Sequence, residues 1–381
     1  MIQIEHIGKG EIKRLGEILL IHKPNKIFLV TGKSSYESSG AQKAIEPIVK
    51  SYGFVRFSNF EVNPKLTDIE RGIEEFRRDN CDFVVAVGGG SVMDVAKAVN
   101  VFAANNGKLM DYIEKRESLK EKGKTLIAIP TTSGSGTQAT HFAVIYVDKT
   151  KYSLADKEKM LPDYAIIDPD LTMSLPKDVT ATTGMDALCQ GIESFWCVNS
   201  TDESKRYARE AIKLAIENLL NVVNRPSEES RGAMAKAAHL AGKAINISQT
   251  TASHAISYPI TSHFGLQHGH AVGLTIPQMI LYNHKVTEED CLDERGVKYV
   301  RDRIMHELID LIGGKTIEEA SEKITNLMRE IGLNIKLSEL KIQTQEDIDI
   351  IVKNGFNPDR VKNNPRKLTE EALRKILENI K

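Results

Sequence analysis

The sequence predicts an α/β N-terminal domain built on a parallel sheet, followed by an all-α C-terminal domain. Three observations carry this. From Ile2 to about Leu171, short apolar runs alternate with amphipathic stretches, the pattern of strands covered on both faces by helices. After Leu175 the strand signals fade and long helical periodicities take over. Between Val84 and Val99, VVAVGGGSVMDVAKAV, an apolar strand runs through three glycines straight into a helix. The division is expected at 175/176, giving domains 1–175 and 176–381. No repeat or low-complexity linker intervenes, so the halves are expected to share a cleft.

In chain order, strands are expected over Lys26–Thr31, Phe54–Phe57, Phe83–Val87, Thr125–Ile129, Ala143–Val147 and Tyr164–Ile167. Between them Thr67–Asp79 reads as a helix, with Thr67 and Glu70 as a capping box. In the second half, Asp178–Trp196, Asp202–Asn224, Glu228–Ile247 and the chain beyond Glu288 read as helices.

A length of 381 residues suffices for two domains with sizeable cores. Fifty-one Lys and Arg nearly balance 52 Asp and Glu, so bulk charge gives no case for nucleic acid or an acidic membrane surface; a small neutral or mildly anionic ligand fits. Cys81, Cys189, Cys197 and Cys291 are scattered and form no CxxC pair, against a disulfide framework or zinc knuckle. The N-terminus has no long apolar run and no segment reaches a membrane-spanning length. A reduced, cytoplasmic setting is expected.

Glycines Gly88, Gly89 and Gly90 with Ser91 let a bulky anion approach the backbone at a helix N-terminus, where N–H groups and the dipole favour phosphate. A second loop follows a strand in IAIPTTSGSGTQAT, with Thr131, Thr132, Ser135 and Thr137 among its donors. In an open parallel sheet ligands bind at the carboxyl ends of the strands, where both loops belong; the alternative is two polar connecting loops. At the end of the first long strand, Gly32 is followed by Lys33, Ser34 and Ser35 instead of the carboxylate that binds a ribose 2'-hydroxyl. This leans toward NADP(H) over NAD(H).

In the second half, Asp186 and Gln190 are four apart on one helix face. His254 is followed fourteen residues later by His268, next to His270, with Tyr258 and His263 between. A carboxylate, two imidazoles and an amide oxygen suit Fe(II), Zn(II), Mn(II) or Co(II). Histidines packed in apolar helices are the plainer alternative.

Together GGGSVMDVAKA, PTTSGSGT, Lys151 with LPDYAIIDPDLT, GMDALCQGIES, HAISYPITSHFGLQHGHAVGLTIP and NNPRKLTEEALRKIL resemble, in order, the iron-containing (group III) alcohol dehydrogenase family. The likeness spans nearly the whole chain. It implies an N-terminal dinucleotide-binding domain, a helical metal-binding and substrate domain, and a metal in the cleft between them. It also implies a metal-dependent NAD(P)H-linked alcohol dehydrogenase or aldehyde reductase, and a homodimer or larger assembly. Carried over by residue, Gly88, Gly89, Gly90 and Ser91 match the pyrophosphate loop, Asp94 the acidic position after it, and Thr131, Thr132 and Thr137 the second loop. Gly32, Ser34, Ser135 and Lys151 complete the expected cofactor set. Asp186, Gln190, His254 and His268 match the metal positions, for Fe(II) or Zn(II). Two departures stand out: Gln190 and Tyr258 occupy positions where the family usually has histidine. Glutamine is the weaker ligand, and Tyr258 either replaces a relay histidine or packs. Tyr258, His263 and His270 are the candidates for proton transfer.

The wording DALCQGIESFW with KAINISQTTASHAISYPITSHFG resembles the branch containing phosphonoacetaldehyde reductases, also called hydroxyethylphosphonate dehydrogenases. For such a substrate Lys243, Asn246, Asn199 and Arg360 are candidates to line an anion pocket, or are exposed or capping side chains. Two rival readings are a general short-chain alcohol dehydrogenase and a sugar-phosphate cyclase resembling dehydroquinate synthase. A non-catalytic nucleotide-binding protein, with Gln190 marking a decayed metal site, is a third.

Overall fold

The computed structural model describes residues 3–147 and 150–381. The chain forms two compact units, Met1–Leu175 and Pro176–Lys381. In the first, strands β1 (Ile4–Ile7), β2 (Ile27–Thr31), β3 (Phe54–Phe57), β4 (Phe83–Gly88), β5 (Leu126–Pro130), β6 (Phe142–Val147), β7 (Thr150–Ala155) and β8 (Tyr164–Ile167) are interleaved with helices. These are α1 (Arg14–His22), α2 (Ser35–Ser38), α3 (Ala41–Val49), α4 (Leu66–Arg78), α5 (Gly90–Ala103) and α6 (Leu109–Ile113).

Six strands form a parallel sheet in the order β1-β8-β5-β4-β2-β3. Period-two alternation explains why it is buried on both sides. Phe28, Val30, Val84, Ala86 and Ala128 share a core with Ile69, Ile73 and Phe76 of α4 and Val95 and Val99 of α5. Their neighbours Ile27, Leu29, Val85, Val87, Ile127 and Ile129 share another with Leu15 and Leu19 of α1 and Ile45 and Val49 of α3. Burying each of the larger side chains in these sets contributes about 1.5–3 kcal/mol. Strand order reverses between β2 and β4, the switch point at which open α/β sheets bind ligands.

Three details depart from the sequence expectation. β6 stands outside the main sheet and pairs antiparallel with β7. Its residues alternate between buried and half-buried, a one-sided pattern that a sheet covered on both faces would not use. β1 and β7 carry no strong strand signal; β1 is a short edge strand whose Glu5 and His6 are only half-buried. α4 begins at Leu66, one residue early, because Asp68 is buried and accepts from the Lys65 N–H at 3.1 Å, in place of a Thr67–Glu70 box.

The second unit is helical: α7 (Lys177–Trp196), α8 (Asp202–Asn224), α9 (Glu228–Ser248), α10 (Ala252–Phe264), α11 (His268–His284), α12 (His306–Ile312), α13 (Ile317–Glu330), α14 (Gln345–Asn354), α15 (Pro358–Val361) and α16 (Glu370–Asn379). A π-helical turn, Tyr299–Met305, leads into α12. Among the described residues no helix is long and apolar enough to cross a membrane. α7 packs against α8, α9 and α11 and is buried along almost its whole length. Such a helix is expected to be apolar all round. α7 instead buries Asp186, Gln190 and Glu193, and each buried polar group needs a partner.

Candidate functional site

Asp186, His254 and His268 offer ligand atoms that all lie within 4.8 Å of one another. Asp186 comes from the middle of α7, His254 from the first turn of α10, and His268 from the first residue of α11. Gly269 allows this meeting: a Cβ there would fall 1.9 Å from the Thr182 carbonyl oxygen and 2.9 Å from the Asp186 Cβ. Only glycine lets the start of α11 sit this close to α7.

Three buried atoms of this cluster, Asp186 Oδ1, Gln190 Oε1 and His254 Nε2, have no hydrogen-bond partner among the described residues. Asp186 Oδ1 and His254 Nε2 face each other at 3.5 Å. A carboxylate, an amide oxygen and an imidazole nitrogen left unsatisfied in one buried place are the donor set of a divalent first-row cation, so the residues present fit one.

Glu193 completes the arrangement and was not singled out from the sequence. It is fully buried and continues the helical stripe of Asp186 and Gln190. Its Oε1 accepts from the Thr251 hydroxyl at 2.8 Å and the Ser253 N–H at 2.7 Å. Its Oε2 accepts from the Thr251 N–H at 3.0 Å and from His254 Nδ1. Because a carboxylate only accepts, Nδ1 carries a hydrogen and Nε2 is turned toward Asp186. Burial disfavours a charged His254, but Glu193 and Asp186 on either side outweigh it and raise its pKa to about 9. Burial likewise pushes both carboxylates up; the facing imidazole of His254 and the charge of His268 hold Asp186 below its ordinary value, and His254 with Thr251 does the same for Glu193. For His268, the Ser257 hydroxyl donates to the His254 carbonyl at 2.7 Å and so accepts from His268 Nδ1 at 3.3 Å, leaving Nε2 for the cluster.

Tyr258 stacks on His268, with ring centroids 6.3 Å apart and planes at 24°, and its hydroxyl accepts from Arg360 Nε at 3.4 Å. The other proton-transfer candidates are placed differently. His270 is bonded at 2.7 Å to the Asn334 carbonyl, and burial lowers its pKa. His263 is exposed in the last turn of α10.

In the first unit, the loops after β2, β4 and β5 leave three adjacent strands at the same edge of the sheet, with Thr31 opposite Val87 and Gly88 opposite Pro130. A Cβ on Gly89 would lie 3.3 Å from Thr132, and one on Gly90 would lie 3.0 Å from the Ser135 hydroxyl, so the two glycine-rich loops adjoin. Gly88 is needed for a different reason: its Cβ would come within 2.5 Å of Val92, where β4 turns into α5. The Ser133 hydroxyl is buried there without a hydrogen-bond partner among the described residues, a donor suited to a phosphate oxygen. Ser91 accepts from the Asn63 N–H at 3.2 Å, Thr131 donates its N–H to Gly88, and Ser34 precedes α2.

Asp94 accepts from the Thr137 hydroxyl at 3.2 Å, and the Lys151 charge acts on it. Lys97, one turn on, is a second residue the sequence reading passed over. Its buried ammonium donates to the carbonyls of Thr137, Thr140 and Phe142 at 2.5, 2.7 and 3.0 Å, tying down the end of the second loop. Burial pushes Asp94 up and Lys97 down, against their mutual attraction. Arg56 is a third: it bonds the Thr31 hydroxyl at 2.8 Å and the carbonyls of Gly32 and Lys33 at 3.0 and 2.9 Å, beside the loop that lacks a carboxylate.

Residues 5–169 match the model of the iron-containing alcohol dehydrogenase family, and residues 180–381 match the C-terminal model of the Fe-containing alcohol dehydrogenases. A phosphonoacetaldehyde reductase of Streptomyces viridochromogenes is 35% identical over 311 residues, covering 80% of this chain and 77% of its own. The NAD-dependent methanol dehydrogenase of Bacillus methanolicus is 30% identical over 98% of this chain and 97% of its own. Among solved structures, sulfoacetaldehyde reductase from Bifidobacterium kashiwanohense in complex with NAD+ superimposes with a TM-score of 0.89 at 31% identity, over 99% of this chain and 96% of that one. Both halves of the sequence therefore lead to one conclusion: the chain belongs to the iron-containing alcohol dehydrogenase family, as an oxidoreductase acting on CH–OH groups.

Proposed function

We propose that this chain is a metal-dependent reductase that converts a small aldehyde to its alcohol with NADPH, its favoured substrate being phosphonoacetaldehyde, reduced to 2-hydroxyethylphosphonate. The observation that carries the reading is the convergence of the unsatisfied atoms of Asp186, Gln190 and His254 beside His268. A divalent cation held by these four residues, Fe(II) or Zn(II), supplies Lewis-acid polarisation of a carbonyl, and a bound nicotinamide supplies hydride.

The chain's own residues do the rest. Glu193 and Ser257 fix the tautomers and ring orientations of His254 and His268. Tyr258, stacked on His268, is favoured as the proton donor: it stands beside a cluster residue and its hydroxyl accepts from Arg360, whereas His270 is engaged with Asn334. Gly88, Gly89, Gly90 and Ser91 would hold the pyrophosphate at the start of α5, with Asp94, Thr131, Thr132, Ser135, Thr137 and Lys151 around it. Gly32, Ser34 and the cations Lys33 and Arg56 favour a 2'-phosphate over a bare hydroxyl, hence NADPH. The phosphonate is supported by the relatives: a phosphonoacetaldehyde reductase and a sulfoacetaldehyde reductase are both named for two-carbon aldehydes bearing a tetrahedral oxyanion. Family membership disfavours the sugar-phosphate cyclase reading.

The test is oxidation of NADPH and of NADH by protein reconstituted with Fe(II) or Zn(II), against phosphonoacetaldehyde and propanal. Faster turnover of the phosphonate with NADPH is expected. His268→Ala should abolish turnover and metal retention while nucleotide binding persists. Equal rates with propanal would remove the phosphonate assignment, and no oxidation with either metal would remove the reductase reading.

A further inference from the structure

We propose that Arg360 is the side chain that recognises the substrate's tetrahedral oxyanion and so sets specificity for anionic aldehydes; this rests on the reading of the Asp186–His254–His268 cluster as the carbonyl site. Three of the polar candidates for an anion pocket are placed by their contacts. Lys243 is directed at α8, with Nζ 4.7 Å from the centre of the Tyr207 ring. Asn199 donates to Asn363 at 3.0 Å. Arg360 borders the cluster through one side chain: Nε donates to the Tyr258 hydroxyl at 3.4 Å, and the Tyr258 ring is stacked beside His268 with centroids 6.3 Å apart.

The separation suits a short substrate. In a two-carbon aldehyde one methylene joins the carbonyl carbon to phosphorus or sulfur, so the oxyanion lies within about 5 Å of the carbonyl oxygen. Arg360 is a cation that the structure links to His268 through the single ring of Tyr258. A guanidinium is the group for the task, since its planar fork pairs with two oxygens of a tetrahedral anion at once.

Arg360 is also held in position. Its Nη1 donates to Gln249 Oε1 at 3.3 Å, and Asn363 Nδ2 donates to the same oxygen at 3.1 Å. Asn363 is buried, bonds the Thr250 carbonyl at 3.2 Å, and accepts the Val198 N–H on its own carbonyl at 3.0 Å. Gln249 has φ +71° and ψ 177°, a conformation that residues other than glycine rarely adopt, and it directs its amide toward Arg360.

The experiment measures kcat/KM of the metal-loaded enzyme, wild type and Arg360→Gln, for phosphonoacetaldehyde, sulfoacetaldehyde and propanal, with methylphosphonate binding by titration calorimetry. The ratio of anionic to neutral aldehyde should fall on the order of 100-fold in Arg360→Gln, and methylphosphonate binding should weaken in parallel. Arg360→Lys keeps the charge without the fork and should give an intermediate ratio; melting curves exclude misfolding. The two anionic arms show whether phosphonate or sulfonate is the better fit. An unchanged ratio and unchanged methylphosphonate binding in Arg360→Gln, with a wild type that prefers the anion, would overturn the assignment to Arg360 and leave the substrate reading intact. A wild type without preference would overturn both.

Discussion

Replacing Glu193 with glutamine isolates what its negative charge does for His254. The amide is nearly isosteric, but only one of its two heads still accepts. With Oε1 retained, the Thr251 hydroxyl, the Ser253 N–H and the His254 N–H keep their partner, at 2.8, 2.7 and 3.4 Å. The new NH2 then faces two donors, the Thr251 N–H and His254 Nδ1. The Thr251 N–H is left unsatisfied in a buried place, at a cost of about 1–3 kcal/mol. His254 relieves its own clash by giving up the Nδ1 hydrogen and keeping the one on Nε2, which points at Asp186 and blocks the lone pair a metal needs. Loss of such an outer partner lowers metal affinity roughly 10- to 100-fold. The assay is competition for Zn(II) against a chromophoric chelator, with melting of the metal-free protein in parallel. Glu193→Ala, which removes every one of these acceptors, should destabilise by about 3–5 kcal/mol. Wild-type Zn(II) affinity in Glu193→Gln would refute the claim that the carboxylate sets the tautomer.

Three further outcomes are expected. Lys97→Met strips the donor from the carbonyls of Thr137, Thr140 and Phe142 and leaves Asp94 without its buried counter-charge, so urea unfolding should show a loss of about 3–5 kcal/mol, with weaker nucleotide binding by fluorescence titration. Gly269→Ala drives a methyl group into the Thr182 carbonyl; the forced separation of α7 and α11 should cost about 1–3 kcal/mol and reduce metal content measured by elemental analysis. Asp290 pins the C-terminal segment, accepting from the Thr287 N–H at 2.8 Å and Arg366 Nε at 2.7 Å. Burial raises its pKa, yet those bonds outweigh it and hold the carboxyl below its ordinary value. Its stabilisation is therefore present above the unfolded value and lost as pH falls through the folded one. Asp290→Asn should lose about 1–2 kcal/mol at neutral pH, and its gap from wild type should close as the pH drops below about 4.

The sequence alone determined whatever depends on neighbours along the chain. The run from β4 through Gly88 into α5 was legible because strand, turn and helix follow one another, and because Gly88 answers a local crowding against Val92. The parallel sheet was legible because strands buried on both faces must be apolar throughout. That Asp186 and Gln190 share a face followed from the helical period. Tertiary structure decided the rest. The loops holding Gly89 and Ser135 adjoin because β4 pairs with β5 in one register, with Gly88 opposite Pro130. Lys97 reads as a solvent-facing lysine until the chain at Thr137–Phe142 folds over it with three carbonyls. Glu193 lies on the same stripe as Asp186, yet its task exists only where the start of α10 brings Thr251, Ser253 and His254 against it. Arg360 meets Tyr258 across 102 residues of chain. Helical and strand periods act over a few residues and leave their mark in the sequence; a buried charge is defined by the groups that surround it, and those come from distant parts of the chain.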